Sequence, residues 1–274
     1  MNPSGEPTPA GTYTHGHHES VLRSHRQRTA ANSAAYLLAD LRPGQSLLDV
    51  GCGPGTITVD LARIVAPGRV TALEATEAAL DLARAHAADL GCDNVDFAVG
   101  DVHALDFADA TFDVVHAHQV LQHVADPARA LREMRRVCRP GGVVAARDSD
   151  YAAFAWFPEV PELDEWLDLY ERAARANGGE PDAGRRLLSW AHQAGFRDVR
   201  ATSSTWCWAT PEDRAWWGGM WAARITESAI ADQLVAAGWA AAADLERIAD
   251  GWRRWAVDPD AWFSILHGEI RAHP

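Results

Sequence analysis

Leu47–Thr58 reads LLDVGCGPGTIT, and this stretch decides the fold. Leu47, Leu48 and Val50 form a short apolar run of the kind found in buried parallel strands. It ends in a carboxylate, Asp49, and a glycine-rich turn, Gly51-Cys52-Gly53-Pro54-Gly55. Beyond the turn, Ile57, Leu61, Ala62 and Val65 recur at helical spacing. Strand, glycine turn and helix open a nucleotide-type βαβ unit. Glycine is needed where the backbone bends sharply and a ligand must approach without meeting a Cβ. The spacing is GxGxG with Thr56 after Gly55, so the dinucleotide fingerprint GxGxxG is not met. No Lys-Ser/Thr follows to make a phosphate-cradling P-loop.

Further strands follow at regular intervals. Arg69–Glu74 (RVTALE) is a second strand whose acidic tip, Glu74, is placed to accept hydrogen bonds from two ribose hydroxyls. Glu77–Leu90 has an amphipathic helical pattern that Gly91 can end. Asn94–Val99 is a third strand running into Gly100-Asp101-Val102. Phe112–His118 is a fourth, and Arg139-Pro140-Gly141-Gly142 leads into a fifth, Val143–Arg147. Between these two, Asp126-Pro127 opens a helix, Ala128–Val137. Open α/β sheets bind ligands off the carboxyl ends of their strands, which puts His118 and Gln119 beside a reactive centre. Alternation along the strand gives His116 and His118 a common face.

These motifs, in this order (LLDVGCGPG, ALEAT, GDVHAL, FDVVHAHQVLQHV, RPGG), closely resemble the class I S-adenosylmethionine (SAM) methyltransferases. Within them the chain is most similar to the small-molecule group typified by the ubiquinone/menaquinone-biosynthesis enzymes. The resemblance covers roughly Arg42 to Asp150. It implies an α/β fold: a Rossmann-like, seven-stranded, mostly parallel sheet with helices on both faces. It also implies SAM as cofactor and S-adenosylhomocysteine as product. Carried onto this sequence, the cofactor-binding residues are Asp49, Gly51, Cys52, Gly53, Gly55 and Thr56 at the turn, and Glu74, Ala75 and Thr76 after strand two. Asp101 would accept from the adenine amine while Val102 packs the ring; a helix N-cap is the structural alternative for Asp101. His118, Gln119 and His123 border the cofactor from strand four, with a packed, backbone-bonded role as the alternative for His123. A helix read over Val21–Leu41 would lie over the methionine end, from which Tyr13, His25 and Arg28 could reach the carboxylate.

Beyond strand five stands Asp148-Ser149-Asp150-Tyr151. Asp148 at a strand tip near His118 could make a general base with its orienting partner, and Tyr151 adjoins them. The same groups could equally anchor a substrate through hydrogen bonds. After Tyr151 the resemblance fades. Helices are expected to about Ala176 and over 183–194, then a long sixth strand, Arg197–Ala209. Pro211–Asp258 is helical and tryptophan-rich, and Trp262–Ile270 is the seventh strand. The expected organisation is a methyltransferase domain over 15–210 and 259–274, with a helical cap over 211–258 that excludes water and gates entry. Tryptophans at helical spacing are mostly core; those lining a pocket would suit a flat or apolar substrate and attract a sulfonium or amine.

The 274 residues suffice for one α/β domain with additions. With 47% apolar and 23% charged residues the composition is that of a globular protein. Net charge is −13 and no lysine occurs, which argues against a nucleic-acid partner and against a tRNA substrate. Four separated cysteines form no CxxC pair and suit a reducing cytoplasm. No apolar run spans a membrane and no signal-peptide core is present. Residues 1–14 read as a disordered tail. His15, His17 and His18 could suggest a metal, but without a partnering Cys or Asp a solvated segment is expected and no metal site. The sequence thus points to methyl transfer from SAM to an O, N or C nucleophile of a small molecule, by a cytoplasmic monomer or homodimer. Two alternatives share these motifs: a SAM-binding protein of this fold catalysing a different reaction, and a ligand-sensing binding protein.

Overall fold

Leu47 and Leu48, neighbours in strand β1 (Leu47–Val50), pack into two different hydrophobic clusters on opposite faces of one sheet. The computed structural model describes residues 27–274. The expected tail, the His15–His18 group, Tyr13 and His25 lie outside the described residues. Strands β2 (Val70–Glu74), β3 (Val95–Val99), β4 (Phe112–His118) and β5 (Cys138–Ser149) run parallel to β1 in the order β3-β2-β1-β4-β5. The alternation seen at Leu47 and Leu48 repeats along the row: Val114 and Val143 join one cluster, Val115 and Val144 the other. Both faces are covered, which is why the inner strands read as continuous apolar runs.

Three strands complete the sheet. β8 (Trp262–His273) runs antiparallel to β5, and β7 (Asp198–Trp208) runs antiparallel along its other edge. β6 (Ala155–Phe157) pairs with the start of β8 where β5 has ended. The sheet therefore has eight strands rather than seven, the extra one being this three-residue piece. The fifth strand is also longer than expected: it starts at Cys138, so the RPGG segment lies inside it.

Helix α3 (Thr56–Val65) leaves the glycine turn, and α4 (Glu77–Asp89) follows β2 with Thr76 accepting the Ala79 N–H as its cap. α5 (Pro127–Val137) begins with Asp126 accepting from Arg129 N–H and proline in its first turn. Ahead of the sheet, the helix expected over Val21–Leu41 begins outside the described residues, and its described part holds two short helices, α1 (Ala30–Ser33) and α2 (Ala35–Leu38). The cause is local. Thr29 and Asn32 form a reciprocal capping box that starts a new helix inside the expected one, and Ala34 leaves helical geometry at φ −131°.

A third hydrophobic cluster is built from α6 (Pro161–Ala176), α8 (Pro211–Glu227), α9 (Ala229–Ala236) and α10 (Ala242–Val257), outside the two sheet-face clusters; α7 (Ala183–Gln193) instead backs the sheet. Trp166, Trp221, Trp252 and Trp255 are fully buried there. Phe263 of β8 sits among them, its ring 5.5–6.4 Å from those of Trp166, Trp217, Trp252 and Trp255. α8 and α10 meet closely at Gly218, where a Cβ would stand 2.7 Å from the Ala256 Cβ and 2.9 Å from the Trp252 carbonyl oxygen. Among the described residues no helix is long and apolar enough to cross a membrane.

Candidate functional site

The carboxyl ends of β1, β2 and β4 open into a cleft of about 790 Å³. One half is the glycine turn. Gly51 has φ +66°, and a Cβ there would lie 2.4 Å from Val120 Cγ2, so only glycine fits both the conformation and the space. Beneath the turn Asp49 is buried and fully engaged: Oδ2 accepts the Thr58 hydroxyl at 2.6 Å and Oδ1 lies 2.7 Å from His116 Nδ1. Asp49 therefore ties β1 to α3 and β4 and shapes the turn rather than offering a charge. Glu74 is half-buried at the tip of β2. Oε1 accepts the Gly53 N–H at 2.8 Å and Oε2 the Ala75 N–H at 3.0 Å. A carboxylate accepts about four hydrogen bonds, so two further donors can be taken.

Cys52, Gly53, Thr56, Ala75 and Thr76 line this half. Gly55 stands behind it, φ +79°, with no room for a Cβ against Ala83. Asp101 and Val102 do not line the cleft. Asp101 closes a tight turn, Oδ1 accepting the His103 N–H at 2.9 Å and lying 2.8 Å from His103 Nδ1. Its backbone neighbour is tied to β2, since Gly100 N–H donates to the Glu74 carbonyl. Val102 is buried in the cluster under β1 and β4.

The other half is set by His118, Gln119, Ser149, Tyr151 and a set of tryptophans. His118 is buried, and neither ring nitrogen has a hydrogen-bond partner. Burial first, then the nearby Arg28 and Arg147 guanidiniums, hold its pKa well below the ordinary histidine value. The imidazole is thus neutral at neutral pH and free to accept or donate. Gln119 adopts φ +53°, and its amide donates to Ser149 Oγ at 2.8 Å and to His267 Nε2 at 3.0 Å. His123 lines the cleft from the 3₁₀ turn Leu121–His123, and burial with Arg28 pushes its pKa down to about 3. Arg28 also lines it, 5.8 Å above the Trp206 ring.

The expected His118–Asp148 couple is not formed. Asp148 is fully buried outside the cleft; its Oδ1 accepts the Gln122 N–H at 3.0 Å and helps pin the 3₁₀ turn. Burial pushes its pKa up to about 8, so it keeps its proton at neutral pH and offers His118 no charge. Tyr151 does reach the cleft, stacked between Phe154 and Tyr170 at centroid distances of 4.4 and 4.2 Å.

Several lining residues were not singled out from the sequence. Trp206 and Trp208 alternate along β7, and Trp217, Trp221 and Arg224 recur at i, i+4, i+7 on α8. Those periodicities were readable; that the shared face looks into the cleft was not. Behind His118 and Trp206, outside the lining, lie the buried His267 and an ion pair: Arg147 Nε donates to Ser204 Oγ (3.1 Å) and Glu269 Oε1 (3.3 Å), its guanidinium 4.7 Å from the Trp206 ring. Among the described residues no group of three or more His, Cys, Asp or Glu is placed to hold a metal ion.

Comparison with known proteins agrees with this architecture. The family described as Methyltransferase domain matches residues 41–209. An uncharacterized methyltransferase of Schizosaccharomyces pombe is 33% identical over 97% of this chain and 97% of its own. The ubiquinone/menaquinone biosynthesis C-methyltransferase UbiE of Roseobacter denitrificans is 37% identical over 54% of this chain and 59% of its own. Among solved structures, the [4+2]-cyclase SpnF superposes with a TM-score of 0.52 at 23% identity, covering 88% of this chain and 80% of that one. That likeness is one of fold.

Proposed function

The chain belongs to the SAM-dependent methyltransferases, and from that premise we propose that it transfers the methyl group to an oxygen, nitrogen or carbon nucleophile of a small molecule held in the tryptophan-walled half of the cleft. The observation that carries this reading is the continuity of the cleft. It runs from the glycine turn and Glu74, past the unbonded His118, to the indoles of β7 and α8.

The residues present fit the cofactor. The turn at Gly51 and Gly53 leaves a hollow that a Cβ at Gly51 would have filled, and Glu74 retains acceptor capacity for ribose hydroxyls. Ala75, Thr76 and Cys52 would border the nucleoside. Arg28, Gln119 and His123 would lie toward the methionine end. When bound, SAM supplies an electrophilic methyl group on a sulfonium.

The protein's own contribution is then position, dryness and proton management. Tryptophan walls exclude water and fix the plane of the acceptor. Neutral His118 can take a proton from a hydroxyl or activated carbon nucleophile, while a nitrogen lone pair needs no base. Tyr151 would border the acceptor. Asp148 acts on this centre only through the 3₁₀ turn that it holds.

Calorimetric titration with SAM and S-adenosylhomocysteine, with wild type and Glu74→Ala, tests the cofactor site. Micromolar binding that weakens by about tenfold or more in the variant is expected, as for loss of charge-assisted hydrogen bonds. Mass spectrometry of candidate acceptors incubated with SAM then tests transfer. Absence of binding by both ligands would overturn the assignment of the cleft.

A further inference from the structure

A row of rings runs through the acceptor half, from the tip of β4 to α8. His118, Trp206, Trp208 and Trp217 follow one another with successive centroids 5.7, 6.2 and 3.9 Å apart, and all four line the cleft. Trp208 and Trp217 lie 13° from parallel, and Trp216 stands within 22° of the Trp208 plane. Each end of the row carries an unmet hydrogen-bonding group. At one end both His118 ring nitrogens are buried without a partner; at the other the Trp217 indole N–H is buried without one, the residue being 5% exposed. The carboxylates that line the cleft, Asp49 and Glu74, both belong to the glycine-turn half, so neither serves the acceptor as a base.

Resting on the methyl-transfer reading above, we propose that the acceptor is a planar fused-ring phenol, which offers its hydroxyl to His118 and a second oxygen, a carbonyl or ether, to the Trp217 N–H. The product is then an aryl methyl ether. An indole N–H only donates, and a buried one left unpaired is costly, so the site favours a ligand with an oxygen there over the same rings without it. Two indoles separate the ends of the row, so a fused system rather than a single ring reaches both. Flat rings pack on such a row by offset-stacked or edge contacts that a puckered ring loses. A neutral imidazole accepts a hydroxyl proton, whereas an aryl amine attacks through its own lone pair and leaves the base idle. Burial makes His118 a weak base, and a weak base matches a phenol rather than an alkyl alcohol. In the transfer step the hydroxyl proton passes to a His118 ring nitrogen, an oxygen electron pair forms the O–CH3 bond, and the pair of the broken C–S bond stays on sulfur. The imidazolium then releases its proton to water, which restores the neutral base.

The test is calorimetric titration of the full chain, saturated with S-adenosylhomocysteine, with 7-hydroxycoumarin, which carries a hydroxyl and a carbonyl at opposite ends of two flat rings. 2-Naphthol keeps the rings and the hydroxyl without the carbonyl, coumarin lacks the hydroxyl, and decahydro-2-naphthol lacks the plane. 7-Hydroxycoumarin is expected to bind about tenfold more tightly than 2-naphthol and than coumarin, with no measurable binding of decahydro-2-naphthol. With SAM in place, mass spectrometry should show 7-methoxycoumarin, and His118→Gln should slow its formation by about 10²–10⁴-fold. Trp217→Phe, which keeps a ring and removes the N–H, should bring 7-hydroxycoumarin down to the 2-naphthol level while S-adenosylhomocysteine affinity holds. Should that variant not fold, the ranking of the probes on wild type decides alone. Equal binding of 7-hydroxycoumarin and 2-naphthol, decahydro-2-naphthol binding as tightly as either, or no binding of any probe to cofactor-loaded protein overturns the proposal, as does absence of 7-methoxycoumarin. Failure of S-adenosylhomocysteine to bind overturns the methyl-transfer reading instead.

Discussion

His116 and Asp49 meet across β4 and β1, Nδ1 to Oδ1 at 2.7 Å, directly beneath the glycine turn. With Thr58 on the other carboxylate oxygen, Asp49 joins two strands and a helix at one buried point. Asp49→Ala leaves both partners buried and unpaired and is expected to cost about 2–4 kcal/mol of stability. Urea denaturation measures it. Asp49→Asn, which keeps one acceptor oxygen, should cost less.

Gly51 cannot be replaced without moving Val120. Gly51→Ala forces a Cβ into 2.4 Å contact with Val120 Cγ2 at φ +66°, and about 1–3 kcal/mol is expected from strain and overlap together. Adding Val120→Ala relieves the overlap and leaves the backbone strain, so the double variant should recover part of the loss. A double-mutant cycle by thermal melting separates the two effects.

His118 is the one neutral, unbonded base that lines the cleft from the tip of β4. If the acceptor attacks through a hydroxyl, His118→Ala should lower kcat by about 10²–10⁴-fold while S-adenosylhomocysteine affinity changes little. Because its pKa lies below the ordinary value of 6.5, the wild-type rate should hold level as pH falls through that value. Steady-state rates between pH 5 and 8 on an identified acceptor, together with calorimetry, decide this.

Stability should peak near neutral pH for two opposed reasons. Burial keeps His118, His123 and His267 neutral in the folded chain, so below their ordinary value of 6.5 the unfolded chain binds more protons and stability falls. Asp148 acts in the other direction. Folded, it holds its proton up to about 8; unfolded, it ionises near 3.8, so it removes stability as pH rises across that interval. Above about pH 7 the histidine contribution fades and the Asp148 decline should show, with a slope of up to about 1.4 kcal/mol per pH unit. Asp148→Asn abolishes that decline. Denaturation midpoints at pH 6, 7 and 8 for both proteins are the check.

The ring of Phe263 touches the tryptophans of three helices, so its removal should be felt across the whole third cluster. Phe263→Ala is expected to cost about 3–5 kcal/mol, read from chemical denaturation and from altered tryptophan fluorescence.

Much of the nucleotide half was legible because its chemistry is local. The five parallel strands, the turn at Gly51–Gly55 and the acidic tip at Glu74 are each fixed by a few consecutive residues, and the strands stand where the apolar runs put them. The acceptor half was not legible in the same way. Its walls come from β7, β8, α8 and the segment around Arg28, which no short motif links. The His118–Asp148 pairing failed for a related reason: proximity of two strand tips does not say which way a buried carboxyl turns, and Asp148 turned to the backbone of Gln122. The break at Ala34 was readable in Thr29 and Asn32, a capping box that the alanine-rich pattern around it concealed.

β8 pairs with β5, β6 and β7, carries Phe263, His267 and Glu269, and comes after every other strand in the chain. Translation therefore delivers the two halves of the cleft at different times. The glycine-turn half can assemble from segments that leave the ribosome early, whereas Arg147 has no counter-ion and the indoles no shared centre until residues 262–273 emerge. A nascent chain halted shortly before that point would present an aromatic surface and a buried-charge site without its partner, the features that recruit chaperones. One strand thus both seals the sheet and makes the acceptor half.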